Sequence, residues 1–268
     1  MDKLYEGKAQ RGANQTIKHL RAIPDELMRD AKVLDLGCNE GLVAAHMAAL
    51  GAKVVGYEPH PIPFARAEAL GAQVGFKVHN AAVLKNPGHV WLRTSKEDYA
   101  ASYFCNSTIM FDELPEHESS QYVFTEVNAT TFAKELTKHK PSGLKVDIEG
   151  SEYELLCFDP LPAHVQWVCL EVHWLHSAGT LLTAKLAQHL LKQGFGVVKW
   201  SSDLEIRREK IAAFQNFSMC TWVRGAKTDA DTSARIRGLV KWAANNKGRT
   251  IQSDYRRGLV AQLYGSQK

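Results

Sequence analysis

Val33-Leu34-Asp35-Leu36-Gly37-Cys38-Asn39-Glu40-Gly41 runs from an apolar strand into an acidic, glycine-bearing turn that opens a helix at Leu42, Val43, Ala44 and Ala45. Such a turn reads as a nucleoside cradle. Gly37 lets the backbone approach a ligand, and Gly41 lets the next helix start close against the strand. The spacing separates two ligand classes. Dinucleotide sites carry G-x-G-x-x-G with a pyrophosphate at the helix N-terminus, whereas this turn is D-x-G-x-x-x-G with Asp35 and Glu40 around it. Carboxylates are poor neighbours for a pyrophosphate and good ones for a cationic amino-acid head, so the turn points to S-adenosylmethionine. The next strand, Lys53-Val54-Val55-Gly56-Tyr57, ends in Glu58. A carboxylate about 20 residues past the glycines is placed to hold ribose hydroxyls.

Working outward, short apolar strands near 32–36, 53–58, 74–79, 144–148, 167–172, 196–200 and 217–223 alternate with helical patterns over 14–29, 41–50, 61–70, 152–158 and 178–193. That alternation predicts βαβ units, a parallel sheet and an α/β fold. Gly51, Gly71 and Gly194 stand where C-terminal glycine caps are expected. The last two strands lack a long apolar helix between them, which predicts an edge hairpin. From about 84 to 140 the alternation stops. The turn Asn86-Pro87-Gly88, short extended pieces and the acidic run Asp112 to Glu118 make a long connection on the side of the sheet where ligands bind. Connections of that length are commonly functional or disordered, so 84–140 is expected to contribute to an acceptor pocket; a cover for the sheet edge is the plainer alternative.

After about 225 the rhythm ends, leaving one domain over 1–225 and a helical extension over 226–268. The extension has amphipathic candidates at 232–245 and 254–264. It holds nine basic residues against three acidic ones, whereas the whole chain of 268 residues has a formal charge of only +4. A basic tail on a mildly acidic body suits a polyanion such as nucleic acid; a solvated helical face is the other reading. The five cysteines (Cys38, Cys105, Cys157, Cys169 and Cys220) are scattered and never spaced C-x-x-C, which argues against a disulfide framework or a zinc site and for a reducing cytoplasm. No signal-like segment and no apolar run long enough to span a membrane is found, so the N-x-[ST] matches at Asn106 and Asn128 carry no weight.

The second informative run is Lys145-Val146-Asp147-Ile148-Glu149-Gly150-Ser151-Glu152. Strand alternation puts Asp147 and Glu149 on one face at a strand's C-terminal end, beside the cofactor crevice. Asp147 is expected to orient the cofactor's methionine end or the acceptor. Glu149 is expected to bond an acceptor hydroxyl, or to act as general base if burial raises its pKa. Ser151 with Glu154 reads as a capping box, and Glu152 as a partner of the helix dipole or a substrate contact. Glu171 and His173 share a face of the following strand, so His173, with an unperturbed pKa of about 6.5, is a candidate to remove the acceptor proton. Oxygen and imidazole ligands from Asp147, Glu149 and His173 suit several divalent ions, yet no sequence spacing supports a metal, and none is expected.

Taken together, D-x-G-x-x-x-G at Asp35 to Gly41, Glu58, and D-x-E-G-x-E at Asp147 to Glu152 resemble the FkbM family of S-adenosylmethionine-dependent methyltransferases. The resemblance covers roughly Tyr5 to Val223, including Asn80-Ala81-Ala82-Val83, and leaves out the basic tail. It implies a Rossmann-like class I methyltransferase fold, a mostly parallel seven-stranded sheet with helices on both faces and an antiparallel last strand. It also implies O-methylation of a hydroxyl on a sugar, glycan or other small acceptor. Carried over by position, Asp35, Gly37, Gly41 and Glu58 would bind the cofactor, with Cys38 and Asn39 in the same turn. Asn80 and Ala81 would lie near its adenine, and Asp147 and Glu149 would face the reacting centre. Cys38 replaces the alanine of the commoner G-A-N-x-G turn. Two rivals remain at this level: a nucleic-acid methyltransferase that uses the basic tail, and a non-catalytic binding module. Base methylation is disfavoured because Asp-Pro-Pro-aromatic is absent, and ribose methylation would want lysines beside the aspartate, where only Lys145 and Lys199 are candidates.

Overall fold

The computed structural model describes residues 12–86, 90–100, 108–111, 121–173, 177–202 and 218–246. Helices α1 (12–20) and α2 (Asp25–Met28) precede β1 (Lys32–Leu36), α3 (Leu42–Ala49), β2 (Lys53–Tyr57), α4 (Pro61–Val74) and β3 (Lys77–His79). An inserted region follows, with β4 (Ala82–Leu84), β5 (Val90–Ser95), α5 (Lys96–Ala100), β6 (Thr108–Phe111), β7 (Tyr122–Glu126) and β8 (Ala129–Thr131). The chain then returns through α6 (Phe132–His139), β9 (Gly143–Val146), α7 (Glu152–Leu156), β10 (Trp167–Val172), α8 (Ser177–Lys192), β11 (Phe195–Ser202), β12 (Ser218–Arg224) and α9 (Ala230–Asn246).

The main sheet has seven strands in the order β11-β12-β10-β9-β1-β2-β3. Strands β3, β2, β1, β9 and β10 are parallel, while β12 runs antiparallel to both β10 and β11. This is the α/β arrangement expected above, with the last two strands paired at the edge. Strand alternation sends successive side chains to opposite faces. Leu34, Leu36, Leu144, Val146, Val168 and Leu170 join the core cluster that includes α6, α7, α8 and α9. Val33, Trp167 and Cys169 join the other, with Leu20, Met28, Val43 and Met47. Both faces are thereby covered, as a parallel sheet requires.

Several boundaries differ from expectation. The helix predicted over 14–29 is two helices, because Pro24 lacks an N–H and cannot continue the first. Helix α4 runs through Gly71 to Val74 and is capped by Gly75 at φ +91°. Gly71 is a packing glycine: a Cβ there would lie 2.6 Å from the Phe76 carbonyl oxygen. Gly51 and Gly194 do take the left-handed φ of a helix end, +92° and +83°.

Within 84–140 the described residues form a parallel β4–β8 pair and an antiparallel sheet, β6-β5-β7. Helix α6 was not foreseen there; the Thr131 side chain caps it by accepting from the Lys134 N–H. The acidic run 112–118 and the second tail helix, 254–264, lie outside the described residues. The first tail helix is α9, whose Ile236 and Ala243 are buried in the main core beside α8. Among the described residues no helix is long and apolar enough to cross a membrane.

Candidate active site

Parallel register assembles the site before any loop contributes. Asp35 lies opposite Lys145 on β9, and Lys145 lies opposite Cys169 on β10. These three share one sheet face, with Glu171 two residues on along β10; Gly37, Asp147 and His173 lie just past the ends of β1, β9 and β10, and Glu149 in the turn after β9. The sequence therefore concentrates charge on one row that ends in the crevice.

Lys145 is the hub of that row. It is buried, with Nζ 3.2 Å from Asp35 Oδ1 and 3.4 Å from Asp147 Oδ2, and it donates to the Gly37 carbonyl at 2.7 Å. Burial works against its charge, but Asp35 and Asp147 outweigh it and raise its pKa. Asp35 is wholly buried, which raises its pKa against the pull of Lys145. Its carboxylate faces Lys145 and is not presented to the crevice. The sequence places Asp35 at the cofactor and brings in Lys145 only as a candidate for ribose methylation; the K-x-D-x-E run was the available signal for the lysine.

The β1 turn is built for close approach. Gly37 has φ +74°, and a Cβ there would lie 1.7 Å from the Asp147 carbonyl oxygen. Gly41 caps α3 at φ +83°. The contact it permits is with the Phe76 ring, 2.7 Å from an added Cβ, and with Ala67 of α4, so its packing role is toward α4 and not toward the strand. Cys38 is buried over Gly56, which must lack a Cβ to receive the sulfur. Burial pushes the Cys38 thiol up, so it is neither a nucleophile nor a surface ligand. Asn39 adopts φ +48° and donates its backbone N–H to Glu58 Oε2 at 2.9 Å. Glu40 pairs with Arg66 at the surface.

Glu58 takes a second backbone bond, 2.9 Å from the His60 N–H to Oε1. Burial nevertheless raises its pKa to about 7, against those two N–H groups. Asn80 ties the ends of β2 and β3 together by donating to the Glu58 and Pro59 carbonyls, both at 2.9 Å. Ala81 follows at the same rim, half-buried, its N–H bonded to the His79 carbonyl.

The reacting end is organised by Glu152. This carboxylate is fully buried, and one oxygen, Oε1, faces the Ile148 N–H (3.2 Å), the Gly150 N–H (3.1 Å) and His173 Nδ1 (2.6 Å). Those bonds shape the 148–150 turn and hold Glu149 at φ +53°, a left-handed conformation that costs a non-glycine residue about 1 kcal/mol or more. The expected capping box is not made: the Ser151 side chain forms no capping bond. The buried role of Glu152 was missed because a glutamate in a first helical turn reads as a dipole partner.

His173 is buried, with Nε2 3.3 Å from Glu149 Oε2 and 3.7 Å from Asp147 Oδ1. Burial alone would lower its pKa, but Glu149 and Glu152 raise it well above the ordinary value. The two carboxylates therefore favour its charged form, unlike the unperturbed histidine expected from sequence. Burial raises Glu149, with His173 opposing, and takes Glu171 up to about 8, aided by repulsion from Asp147. The structure brings Asp147, Glu149 and His173 together, with the two carboxylates 26% and 21% exposed.

Residues 35–197, more than half of the chain, match the family described as the methyltransferase FkbM domain. The chain belongs to the FkbM methyltransferase family. This FkbM protein is a methyltransferase, as the sequence resemblance implied. Among solved structures, it is similar to magnesium protoporphyrin IX methyltransferase (ChlM) from Synechocystis PCC 6803 with bound SAM, at 11% identity over 81% of this chain and 79% of that one, TM-score 0.44. Precorrin-6y C5,15-methyltransferase from Geobacter metallireducens GS-15 matches at 12% identity over 80% and 88%, TM-score 0.39. Aeropyrum pernix fibrillarin in complex with natively bound S-adenosyl-L-methionine matches at 10% over 74% and 68%, TM-score 0.39. At such similarity the substrates of those proteins say nothing about this one's. No curated protein sequence matches the FkbM chain at a significant level.

Proposed function

We propose that this FkbM methyltransferase uses S-adenosylmethionine to methylate a hydroxyl oxygen on a sugar, glycan or other small acceptor. The observation that carries the proposal is the convergence, at one edge of the sheet, of the Gly37 turn, packed on the Asp147 backbone, with two carboxylates, Asp147 and Glu149, that stay 26% and 21% exposed. S-adenosylmethionine, when bound, supplies an activated methyl group on sulfonium. The protein's tasks are to bind it, to align the acceptor and to take up one proton, since positioning contributes much of the rate in such transfers.

Glu58 accepts the ribose hydroxyls, and Asn80 and Ala81 line the adenine side. Gly37 admits the backbone of the turn to the ligand, and Asp147 takes the cationic amino-acid head. Asp35 acts through Lys145, which fixes the Gly37 carbonyl and the Asp147 carboxylate, so both are positioning residues. The acceptor oxygen bonds Glu149, which receives the hydroxyl proton as the new carbon–oxygen bond forms and the carbon–sulfur bond breaks. Burial raises the pKa of Glu149, the direction that makes a carboxylate a stronger general base. His173 holds Glu149 in place, with Nε2 3.3 Å from Glu149 Oε2.

Exposed Arg235, Arg237 and Lys241 on α9 favour a second reading, a polyanionic acceptor. Both are tested by incubating the protein with methyl-labelled S-adenosylmethionine and a panel of oligosaccharides, small polyols and oligonucleotides. The expected product is a labelled methyl ether that survives mild alkali. Label found only on oligonucleotides, or only as alkali-labile methyl ester, would overturn the leading reading.

A further inference from the structure

We propose that Asp147, Glu149 and His173 form a divalent-cation site, and that the bound ion holds the acceptor through two adjacent oxygens. The acceptor would then be a vicinal diol or a hydroxyl beside a carboxylate. The role given to the acceptor rests on the O-methylation reading above; the binding of the ion does not.

Three features set this group apart from a patch of surface acids. The donor set is mixed, one imidazole nitrogen and one oxygen from each carboxylate, and these atoms lie within 4.8 Å of one another. An ion with bonds of about 2.1–2.3 Å holds adjacent ligands about 3.0–3.6 Å apart; His173 Nε2 and Glu149 Oε2 already stand at 3.3 Å, and Asp147 Oδ1, 3.7 Å from Nε2, needs only a small side-chain adjustment. The histidine is prepared for ligation by a buried partner outside the triad: Glu152, fully buried, engages Nδ1 at 2.6 Å and turns Nε2 toward Asp147 and Glu149. A carboxylate behind the far nitrogen of a histidine is the arrangement that orients metal-ligating imidazoles and raises their basicity.

The third feature is access. His173 is buried behind the triad, while Asp147 and Glu149 stay partly exposed. Three protein ligands on one side leave coordination positions open on the other, as catalytic metal sites need. Two hard carboxylates with one imidazole suit a six-coordinate ion of the Mn2+ or Mg2+ type better than a thiolate-seeking one. The described cysteines are buried and contribute no ligand to the triad.

Such an ion would draw a bound hydroxyl's pKa downward. The hydroxyl proton would then leave to the second oxygen of Glu149, which the ion does not use, while the acceptor oxygen bonds the methyl carbon and the sulfonium sulfur leaves with the carbon–sulfur electron pair as a neutral thioether. The sequence offered no ligand spacing because the three donors come from β9's end, the following turn and β10's end, and only the parallel register joins them.

The test is titration of Mn2+ into the EDTA-treated full chain, read by calorimetry and by the Mn2+ electron paramagnetic resonance signal, with S-adenosylmethionine binding measured on the same samples. The expected result is one saturable Mn2+ per chain, weakened at least tenfold in both His173→Ala and Glu149→Gln, with S-adenosylmethionine binding retained after EDTA. Circular dichroism identifies a misfolded variant, and Glu149→Gln, which conserves volume at a partly exposed position, serves if His173→Ala does not fold. No saturable Mn2+ binding by a chain that binds S-adenosylmethionine, or unchanged binding by a folded Glu149→Gln, overturns the cation site. Mn2+ binding without S-adenosylmethionine binding would uphold the ion and sink the methyl-transfer reading instead.

Discussion

Replacing Lys145 by Met is expected to lower stability by about 3–5 kcal/mol, the usual cost of removing one partner from a buried ion pair. The cause is the residue left behind. Asp35 is wholly buried and Asp147 lies on the same row, so without the ammonium group two carboxylates face each other with no cation between them. The Gly37 carbonyl also loses its donor. Denaturant unfolding measures the loss. Adding Asp35→Asn to Lys145→Met is expected to recover much of it, because an amide carries no charge to strand. The deficit of the single variant should shrink at acidic pH: Asp35 has a raised pKa even with Lys145 present, and without it the carboxyl protonates more readily still. A loss below about 1 kcal/mol, the range of exposed pairs, would show that Lys145 is not the hub described here.

Glu149→Gln is expected to reduce kcat by about 10²- to 10⁴-fold, the contribution of a positioned general base, while S-adenosylmethionine affinity changes little. The amide keeps the shape of the side chain and cannot take the hydroxyl proton. In the unaltered protein the acidic limb of the pH–rate profile should follow Glu149, whose pKa burial raises. The base must be ionised, so the rate falls as pH drops through that raised value, and the limb should disappear in Glu149→Gln. Full activity in the variant would return the base to another group, with Glu171, raised to about 8, the next candidate by position.

Much of the architecture was legible because the strands are short, apolar and separated by glycine-capped helices; each of the seven main-sheet strands falls within a few residues of its expected place. The boundaries that shifted did so for local reasons. Pro24 divides a helix that periodicity alone would join, and Gly71 serves packing against Phe76 where a cap was expected. The inserted sheets were not readable from a linear pattern, since β4 pairs with β8 across the whole insertion; α6 did leave a signal, Phe132 and Leu136 at i, i+4 behind the Thr131 cap.

At the site, Asp147 and Glu149 do meet beside His173, but β9 ends at Val146 and the turn after it, not strand alternation, brings Glu149 there. Alternation could not reveal which charges are buried. Asp35 and Lys145 are paired inside the fold, and Glu152 turns inward to hold His173, because parallel register and the 148–150 turn direct them there. Pairing across strands, which a linear pattern does not contain, decides between a cofactor contact and a positioning residue.

The cofactor site itself is tested most directly by calorimetric titration of S-adenosylmethionine and S-adenosylhomocysteine into the protein and into Glu58→Ala, at pH 6 and pH 8. Binding in the micromolar range, about −8 kcal/mol, is predicted, with affinity at least tenfold weaker in the variant. Glu58 keeps its proton up to a pH of about 7, and ribose hydroxyls bond a carboxylate more strongly than a carboxyl. Affinity should therefore rise from pH 6 to pH 8 in the unaltered protein and stay flat in Glu58→Ala. Absence of binding by either ligand, or equal binding by the two proteins, would contradict the assignment of the β1–β2 crevice as an S-adenosylmethionine site.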